Sequence, residues 1–592
     1  MTETISSTSL YDAIFIGAAH IRDRQDELNR INVFPVADND TGSNLAHTMA
    51  TIINQAKPHE DVRTTLGEIA RSALIGARGN SGAIFSQYFN GLYLESQEKP
   101  DVTLAELAEY FQVAYQKAYQ AIERPVEGTI ITLMRAWAAS FKESVEIRRT
   151  FAEHLEIALT KVRQSLDDTT NVLQGLKKLG IVDSGALGYY YFMDGFVQSL
   201  LGKQSYLHTR VETPDTIVLE NDIHRFREES ELDYRFCTEV LIESEALDLE
   251  GIREEMNPLG DSLLVTSAEK LARVHLHTNQ PWEMVKRVAA YGRILEQKSD
   301  DMVNEMLLAG APEKKIALIT DSIADLPQEY IYEHQVFQIP INIMIDGVTY
   351  FDKRTIDSDF LMEHLDKAST SQLNTEQILS FVRPILHHYE KVLILNVSSK
   401  MSGTHSRFKE VLATLESEDR ARTALIDTRV NSGAQALLVR KAVEMIANKV
   451  PFDQIVSNIE AMRSRAKILV SVVDIAPMAH SGRVSERIGD LLIRLKFKPL
   501  VTINAEGDGT IKGIAFSDKK NWKILMKSLR GKQMEDYVIV HAEAPERAES
   551  LRQEMVRLTG KEPLYITTIS AVVTLFAGRG SVAVAYLEGM QS

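Results

Sequence analysis

Asp38 and Asp40 stand two residues apart in NVFPVADNDTGSN (residues 32–44). Two carboxylates in one turn can share a hard cation such as Mg²⁺, which prefers oxygen ligands and leaves room for phosphate oxygens. Thr41, Gly42, Ser43 and Asn44 follow, supplying hydroxyls and close backbone approach where a helix is predicted over 44–56. A second turn, GARGNSG (76–82), places Asn80, Ser81 and Gly82 ahead of another helix, where successive backbone N–H groups can form a nest for phosphate. Farther along, His275 and His277 alternate in ARVHLHT, so on a strand both rings project from one face. Cys237 lies in a second candidate strand, FCTEVLI, and if the two strands are neighbours a thiolate and two imidazoles meet as a Zn²⁺ ligand set with a fourth position open. Each pattern has a plainer reading. An Asp pair followed by Thr-Gly also caps helices, a lone cysteine packs as a small hydrophobe, and a Ser-rich turn such as that at Ser402 is commonly an N-cap.

The elements that would position these residues fall into three blocks. From Ser9 to about Gly202 apolar residues recur at three and four spacing, as in Tyr11, Ile14, Phe15 and Ala18, which predicts an all-α domain over residues 1–202. Its polar loops at 32–43, 76–82, 124–128 and 182–188 each precede a helical run and could aim backbone N–H groups from a helix N-terminus. After a polar stretch (203–233), short strands alternate with short helices, predicting a small α+β domain over 203–310. A charged segment, 298–315, leads into a third block, 311–592, where strands at 392–397, 423–426, 468–473, 537–541 and 564–566 alternate with helices. That pattern predicts an α/β domain with a parallel sheet.

At 592 residues the chain exceeds one hydrophobic core. A formal charge of -16 without a lysine- and arginine-rich tract argues against a nucleic-acid partner, and leaves peripheral membrane contact as the most that is expected. The single cysteine suits a reducing compartment, and the first residues lack a basic region followed by an apolar stretch, so a cytoplasmic location is expected. The longest apolar run, 569–586, is interrupted by Arg579.

Four ordered motifs, NVFPVADNDTGSN, GARGNSGAIFSQ, PVEGTIITLMR (125–135) and VDSGALG (182–188), make the first 200 residues similar to the DhaL-type nucleotide-binding domain of dihydroxyacetone kinases, in the version found in bacterial fatty acid kinase. The resemblance implies an eight-helix barrel binding ATP through Mg²⁺. Asp38 and Asp40 match the metal ligands, and Thr41, Gly42, Ser43, Asn44, Asn80, Ser81, Gly82 and Asp183 lie in the matched nucleotide loops. Many relatives have Gly where Asn39 stands. The next block resembles the middle domain of the fatty acid kinase catalytic subunit through YRFCTEV, LGDSLLV and VHLHTNQP, which implies zinc on Cys237, His275 and His277.

From about Lys315 the chain resembles the DegV family of fatty-acid-binding proteins, the FakB component of fatty acid kinase, through ALITDSIADLP, STSQ, VSSKMSGTHSR, DTRVNSGAQ and DIAPMAHSGRVS. Two α/β lobes enclosing an apolar tunnel are implied, with a carboxylate at its mouth held by Thr370 and Ser402 in the Ser402-Gly403-Thr404 turn, beside Arg483. A His-x-Gly-Pro-Gly turn common in that family reads FAGRG (576–580) here, with Phe576 in place of the histidine. The combined expectation is a fatty acid kinase in one polypeptide that makes acyl-phosphate from ATP and fatty acid, with Asp38, Asp40 and Arg483 at the reacting groups and an acceptor enzyme downstream. Transfer within one chain or across a homodimer both stay open. So do two other readings, a lipid carrier or sensor with a regulatory nucleotide domain and a dihydroxyacetone-type kinase.

Overall fold

The computed structural model describes residues 4–32, 40–122, 125–145, 150–202, 233–309, 314–477, 493–495 and 497–589; Asp38, Asn39 and Arg483 lie outside them. The chain divides into two compact units, Met1–Ala311 and Pro312–Ser592. The protein is multidomain, with an all-α part, a small α+β part and an α/β part. No described helix is long and apolar enough to cross a membrane.

The first unit opens with α1 (Ser7–Arg22), α2 (Gln25–Arg30), α3 (Thr41–Gln55), α4 (Val62–Gly76), α5 (Gly79–Glu95), α6 (Leu104–Ala121), α7 (Ile130–Val145), α8 (Phe151–Val172), α9 (Gln174–Leu179) and α10 (Ser184–Leu200). With the short α2 and α9 set aside, the long helices pack in a closed ring, α1-α3-α4-α5-α6-α7-α8-α10 and back to α1. The local sequence explains why. Capping boxes Thr103/Glu106 and Thr150/Glu153 satisfy the first N–H groups of α6 and α8. Leu107, Phe111, Ala114 and Ala118 then give α6 one buried stripe. Inside the ring Phe111 packs edge-to-face on Trp137, Phe141 and Phe196.

Four antiparallel strands follow in the order β4-β5-β3-β6, with β3 at Phe236–Glu243, β4 at Gly260–Ala268, β5 at Leu271–Thr278 and β6 at Arg293–Asp301; β1 (Thr4–Ser6) and β2 (Asp101–Thr103) form a separate pair. The charged segment from residue 298 is regular structure over its described part up to residue 309. It completes edge strand β6 and continues as the helix Met302–Ala309. Its charges are tolerated because they are paired, Lys298 with Asp300, Glu296 with Arg78 and Asp301 with Arg235.

The second unit begins with a parallel sheet, order β13-β12-β7-β8, from β7 (Ile316–Asp321), β8 (Val336–Ile339), β12 (Lys391–Asn396) and β13 (Thr423–Asp427). A small antiparallel sheet, β10-β9-β11, joins β9 (Asn342–Ile345), β10 (Val348–Phe351) and β11 (Ser369–Ser371). The last sheet corrects the expectation of parallel strands. Its order is β16-β15-β14-β19-β17-β18, from β14 (Ala466–Ser471), β15 (Leu500–Ile503), β16 (Gly509–Gly513), β17 (Met534–His541), β18 (Ile566–Thr568) and β19 (Val582–Glu588). Only β17 and β18 run parallel in it. A tight connection carries β15 into β16 as a hairpin, and alternation of strand and helix in the sequence does not register such direction changes.

The helix Ser432–Ala447 serves both sheets. Ala434, Leu437 and Leu438 pack in the core with Val538, Val540 and Ala585, while Ala436, Val439 and Ala442 pack with Leu318, Leu393 and Ile426. Asp325 adds a polar tie. It is buried, and its carboxylate accepts from Ser432 Oγ at 2.5 Å and Ser570 N–H at 2.8 Å and pairs with Lys353 Nζ at 3.2 Å. Asp325→Ala leaves Lys353 half-enclosed without its counter-charge, and should destabilise this unit by about 3–5 kcal/mol in chemical denaturation. A loss under about 1 kcal/mol would show that the tie contributes no stability.

Candidate functional site

In the first unit, a cavity of about 390 Å³ opens where α3, α5, α7 and α10 begin. Asp40, Thr41 and Asn44 line it from α3, Asn80 and Ser81 from α5, Thr129 and Ile130 from α7, and Asp183 and Gly185 from α10. All four polar loops singled out in the sequence thus contribute to one site. Asn44 sits at the junction, donating to Asp40 Oδ2 at 2.6 Å, and a Cβ on Gly79, whose φ is +58°, would fall 2.4 Å from Asn44 Nδ2. Asp183 caps α10 by accepting from Ala186 N–H at 2.7 Å, and burial raises its carboxyl to about 7. Gly42, Ser43 and Gly82 do not line the cavity. Ser43 Oγ accepts from Asn29 and Gln25, a Cβ at Gly42 would strike Gln25 O at 2.1 Å, and one at Gly82 would meet Thr48 Oγ1 at 2.6 Å. Those three pack the helices together.

The opposite wall comes from the sheet. Cys237, His275 and His277 face the same cavity, with one ligand atom from each within 4.8 Å of the others. Register produces this cluster, because Cys237 pairs with His277 across β3 and β5, and Glu239 with His275. Each ring nitrogen Nδ1 meets a carboxylate, His275 with Glu239 Oε1 and His277 with Asp261 Oδ1, both at 3.3 Å. His275 Nε2 is buried and makes no hydrogen bond among the described residues. Burial pushes the Cys237 thiol well up, with Glu239 and Asp300 adding to the effect, so a thiolate there calls for a cation. Burial also lowers His277, against the opposing pull of Asp261, keeping its ring neutral and able to ligate. A carboxylate behind each histidine is the usual outer support of a zinc ligand, and the donor set with its orphaned Nε2 fits that ion.

Glu239 and Asp261 were not singled out from the sequence. Glu239 had a signal, a charged residue two places after Cys237 in an otherwise apolar strand. Its Oε1 accepts the Gly79 N–H at 2.5 Å, and Arg273 Nη1 (3.3 Å) and Arg78 Nη1 (3.6 Å) flank Oε2. Burial would raise this carboxyl, but the His275 hydrogen bond and the charges of Arg273 and Lys298 outweigh it and hold it well below the usual range.

The second unit encloses a cavity of about 330 Å³. Val470, Val472, Val501, Val540, Val572 and Val573 give it apolar walls, and Thr370, Ser402 and Thr404 add hydroxyls. Gly403 lets β11 and the Ser402 turn approach, since a Cβ there would meet Gln372 Nε2 at 2.4 Å. Ser402 and Thr404 hydroxyls lie 2.8 Å apart. Phe576 lines this cavity. So does His541, a residue the sequence did not mark beyond ending an apolar strand; its Nδ1 accepts from Ala544 N–H at 3.3 Å, and burial lowers its pKa.

Residues 35–198 match the family model of the DAK2 domain, residues 233–306 that of the FakA-like middle domain of fatty acid kinase, and residues 315–589 that of the DegV family. One chain therefore carries all three segments in order. An uncharacterised protein of Staphylococcus aureus strain USA300 is 31% identical over 311 residues, covering 51% of this chain and 56% of the relative, and a counterpart in strain NCTC 8325 gives the same figures. The chain spans about half the length of these curated relatives. Among solved structures, a fatty-acid-binding DegV family protein from Streptococcus agalactiae is 26% identical, with a TM-score of 0.41 over 47% of this chain and 100% of its own. DegV from Bacillus subtilis, described as a fatty acid binding protein, is 22% identical with the same TM-score and coverage.

Elemental analysis of the purified protein should find about one zinc per chain, and Cys237→Ser should lower that content sharply while leaving the helical circular dichroism intact. Zinc that is absent, or indifferent to Cys237→Ser, would return the cluster to ordinary packing.

Proposed function

We propose that this chain transfers the γ-phosphoryl group of ATP to the carboxylate of a bound fatty acid, releasing ADP and forming an acyl-phosphate. The observation that carries the reading is the pairing of two unlike cavities in one polypeptide. One gathers four helix N-termini and a carboxylate beside a Cys/His/His cluster; the other is valine-walled with a few hydroxyls. Helix N-termini present unpaired N–H groups to phosphate, and apolar walls suit an alkyl chain at about 0.8 kcal/mol per buried methylene. The matches to the DAK2 and FakA-like middle-domain models support the same assignment.

In this reading Thr41, Asn44, Asn80 and Ser81 bind the polyphosphate. Asp40, with Asp38 two residues earlier, would hold Mg²⁺, which supplies charge neutralisation when bound; oxygen donors of this kind fit it. Thr370 and Ser402 donate to the fatty acid carboxylate, and Arg483 is assigned to its remaining charge. A carboxylate is already ionised at neutral pH, so no side chain need remove a proton. One carboxylate oxygen gives a lone pair to form a bond to the γ-phosphorus, and the bond from that phosphorus to the ADP oxygen breaks with its electron pair leaving on the ADP oxygen. What the protein contributes is alignment and charge. Positioning demands that the hydroxyl-bearing part of the acyl cavity meet the nucleotide loops of the same chain or of a second copy. The mixed anhydride so formed is reactive, which implies an acceptor enzyme.

Thr370→Ala with Ser402→Ala removes two hydrogen bonds to a charged group, each worth roughly 1.5–3 kcal/mol, and should weaken fatty acid binding at least a hundredfold while sparing ATP affinity. Asp40→Ala should abolish ADP release yet keep fatty acid bound. ADP release that ignores added fatty acid in the unaltered protein would contradict the proposal.

A further inference from the structure

One carboxylate oxygen touches both the Cys/His/His cluster and the loop that opens α5. Glu239 Oε1 accepts the Gly79 N–H at 2.5 Å and stands 3.3 Å from His275 Nδ1. Glu239 is 2% exposed and His275 1%, so water does not replace either contact. Arg78 gives α5 no side-chain cap, and Glu239 takes that part from another element. Gly79 also packs on Asn44, since a Cβ there would fall 2.4 Å from Asn44 Nδ2, and Asn44 donates to Asp40 Oδ2 at 2.6 Å. An unbroken line of contacts therefore runs from His275 to Asp40.

The ring proton of His275 gives this line two arrangements. With a zinc ion on Nε2, Nδ1 is the only ring position left for the proton, and Nδ1–H donates to Glu239 Oε1. Without the ion the proton can sit on Nε2 instead, which is buried and meets no acceptor among the described residues. Cys237 Sγ lies 3.8 Å from Nδ1, so a neutral thiol can then donate to it. In that arrangement two bare lone pairs, on Nδ1 and Oε1, face each other, and the ring no longer holds the carboxylate. Arg273 Nη1 at 3.3 Å and Arg78 Nη1 at 3.6 Å lie against Oε2 and do not substitute for it.

We propose that Glu239 is a positioning residue through which metal in the Cys237/His275/His277 cluster tightens nucleotide binding at the loops that open α3 and α5. The proposal rests on the nucleotide reading of this cavity and adds its regulation. Linkage makes the effect mutual, so nucleotide must raise zinc affinity by the same factor, about tenfold. The charge of the ion would by itself also favour a phosphate, and a variant at Glu239 separates the two causes. Glu239→Asp keeps a negative charge between Arg273 and Arg78 but withdraws it by one methylene, too far to reach Gly79 and His275 together.

The test is calorimetric titration of the full-length protein with ADP and Mg²⁺, zinc-loaded and after zinc removal, paired with zinc affinity measured by chelator competition with and without ADP. Zinc is expected to tighten ADP about tenfold, ADP to tighten zinc equally, and both effects to fall below about threefold in Glu239→Asp at an unchanged melting temperature. Hydrogen exchange of the unaltered protein gives a second reading that needs no variant. The peptide spanning residues 76–82 should exchange faster once zinc is removed, and unchanged protection there would overturn the proposal. ADP bound equally with and without zinc would overturn the coupling alone, whereas no ADP binding even with zinc would remove the nucleotide reading as well. Full coupling in Glu239→Asp would assign the effect to the charge of the ion and end the role of Glu239. Loss of helical circular dichroism on zinc removal would make the ion part of the fold and likewise contradict the proposal.

Discussion

Glu239 is a charged residue where a strand would ordinarily carry an apolar one, and the first unit is built around it. Its carboxylate accepts the first N–H of α5, faces the His275 ring, and lies against Arg273 and Arg78. Arg273 in turn donates to the carbonyls of Leu74 and Ile75 at the end of α4. One side chain thereby fixes the sheet against two helices of the ring. The same contact sets the turn at Asn80 and Ser81 and the Cys237/His275/His277 cluster across a single cavity. Buried ion pairs seldom repay their desolvation as stability alone. Here the return is placement, because no apolar residue could hold a backbone N–H and an imidazole at once.

The second unit is governed by a different constraint, the sharing of one helix. Ser432–Ala447 has no solvent face over most of its first half, so its residues are divided between two cores. The cavity that Asn431 and Ser432 line at the start of this helix is walled largely by β-branched side chains, whose restricted χ1 angles keep the walls from collapsing inward. A long apolar ligand would find a preformed volume there, with hydroxyls from the Ser402 turn and β11 to receive a polar end.

Much of this was legible in the sequence where the signal is local. Helical periodicity gave the all-α part, and polar loops ahead of helices pointed to residues that do line one cavity. Alternation in ARVHLHT correctly placed His275 and His277 on one strand face, adjacent to Cys237. What escaped depends on partners distant in sequence. The strand β6 was not marked in the charged stretch because counter-charges such as Arg78 and Arg235 lie elsewhere in the chain. Gly42, Ser43 and Gly82 resemble ligand-binding residues by type, yet they meet Gln25, Asn29 and Thr48, contacts that no spacing encodes. Strand direction in the last sheet is a property of topology, and strand-helix alternation is silent on it.

The central claim is that the two cavities take part in one reaction. Incubating the protein with ATP, Mg²⁺ and a long-chain fatty acid in the presence of hydroxylamine tests it most directly, because hydroxylamine converts an acyl-phosphate into a stable hydroxamate detectable by mass spectrometry. The account predicts fatty hydroxamate accumulating in step with ADP, one for one. ADP formed without hydroxamate, or no ADP formed at all, would contradict it.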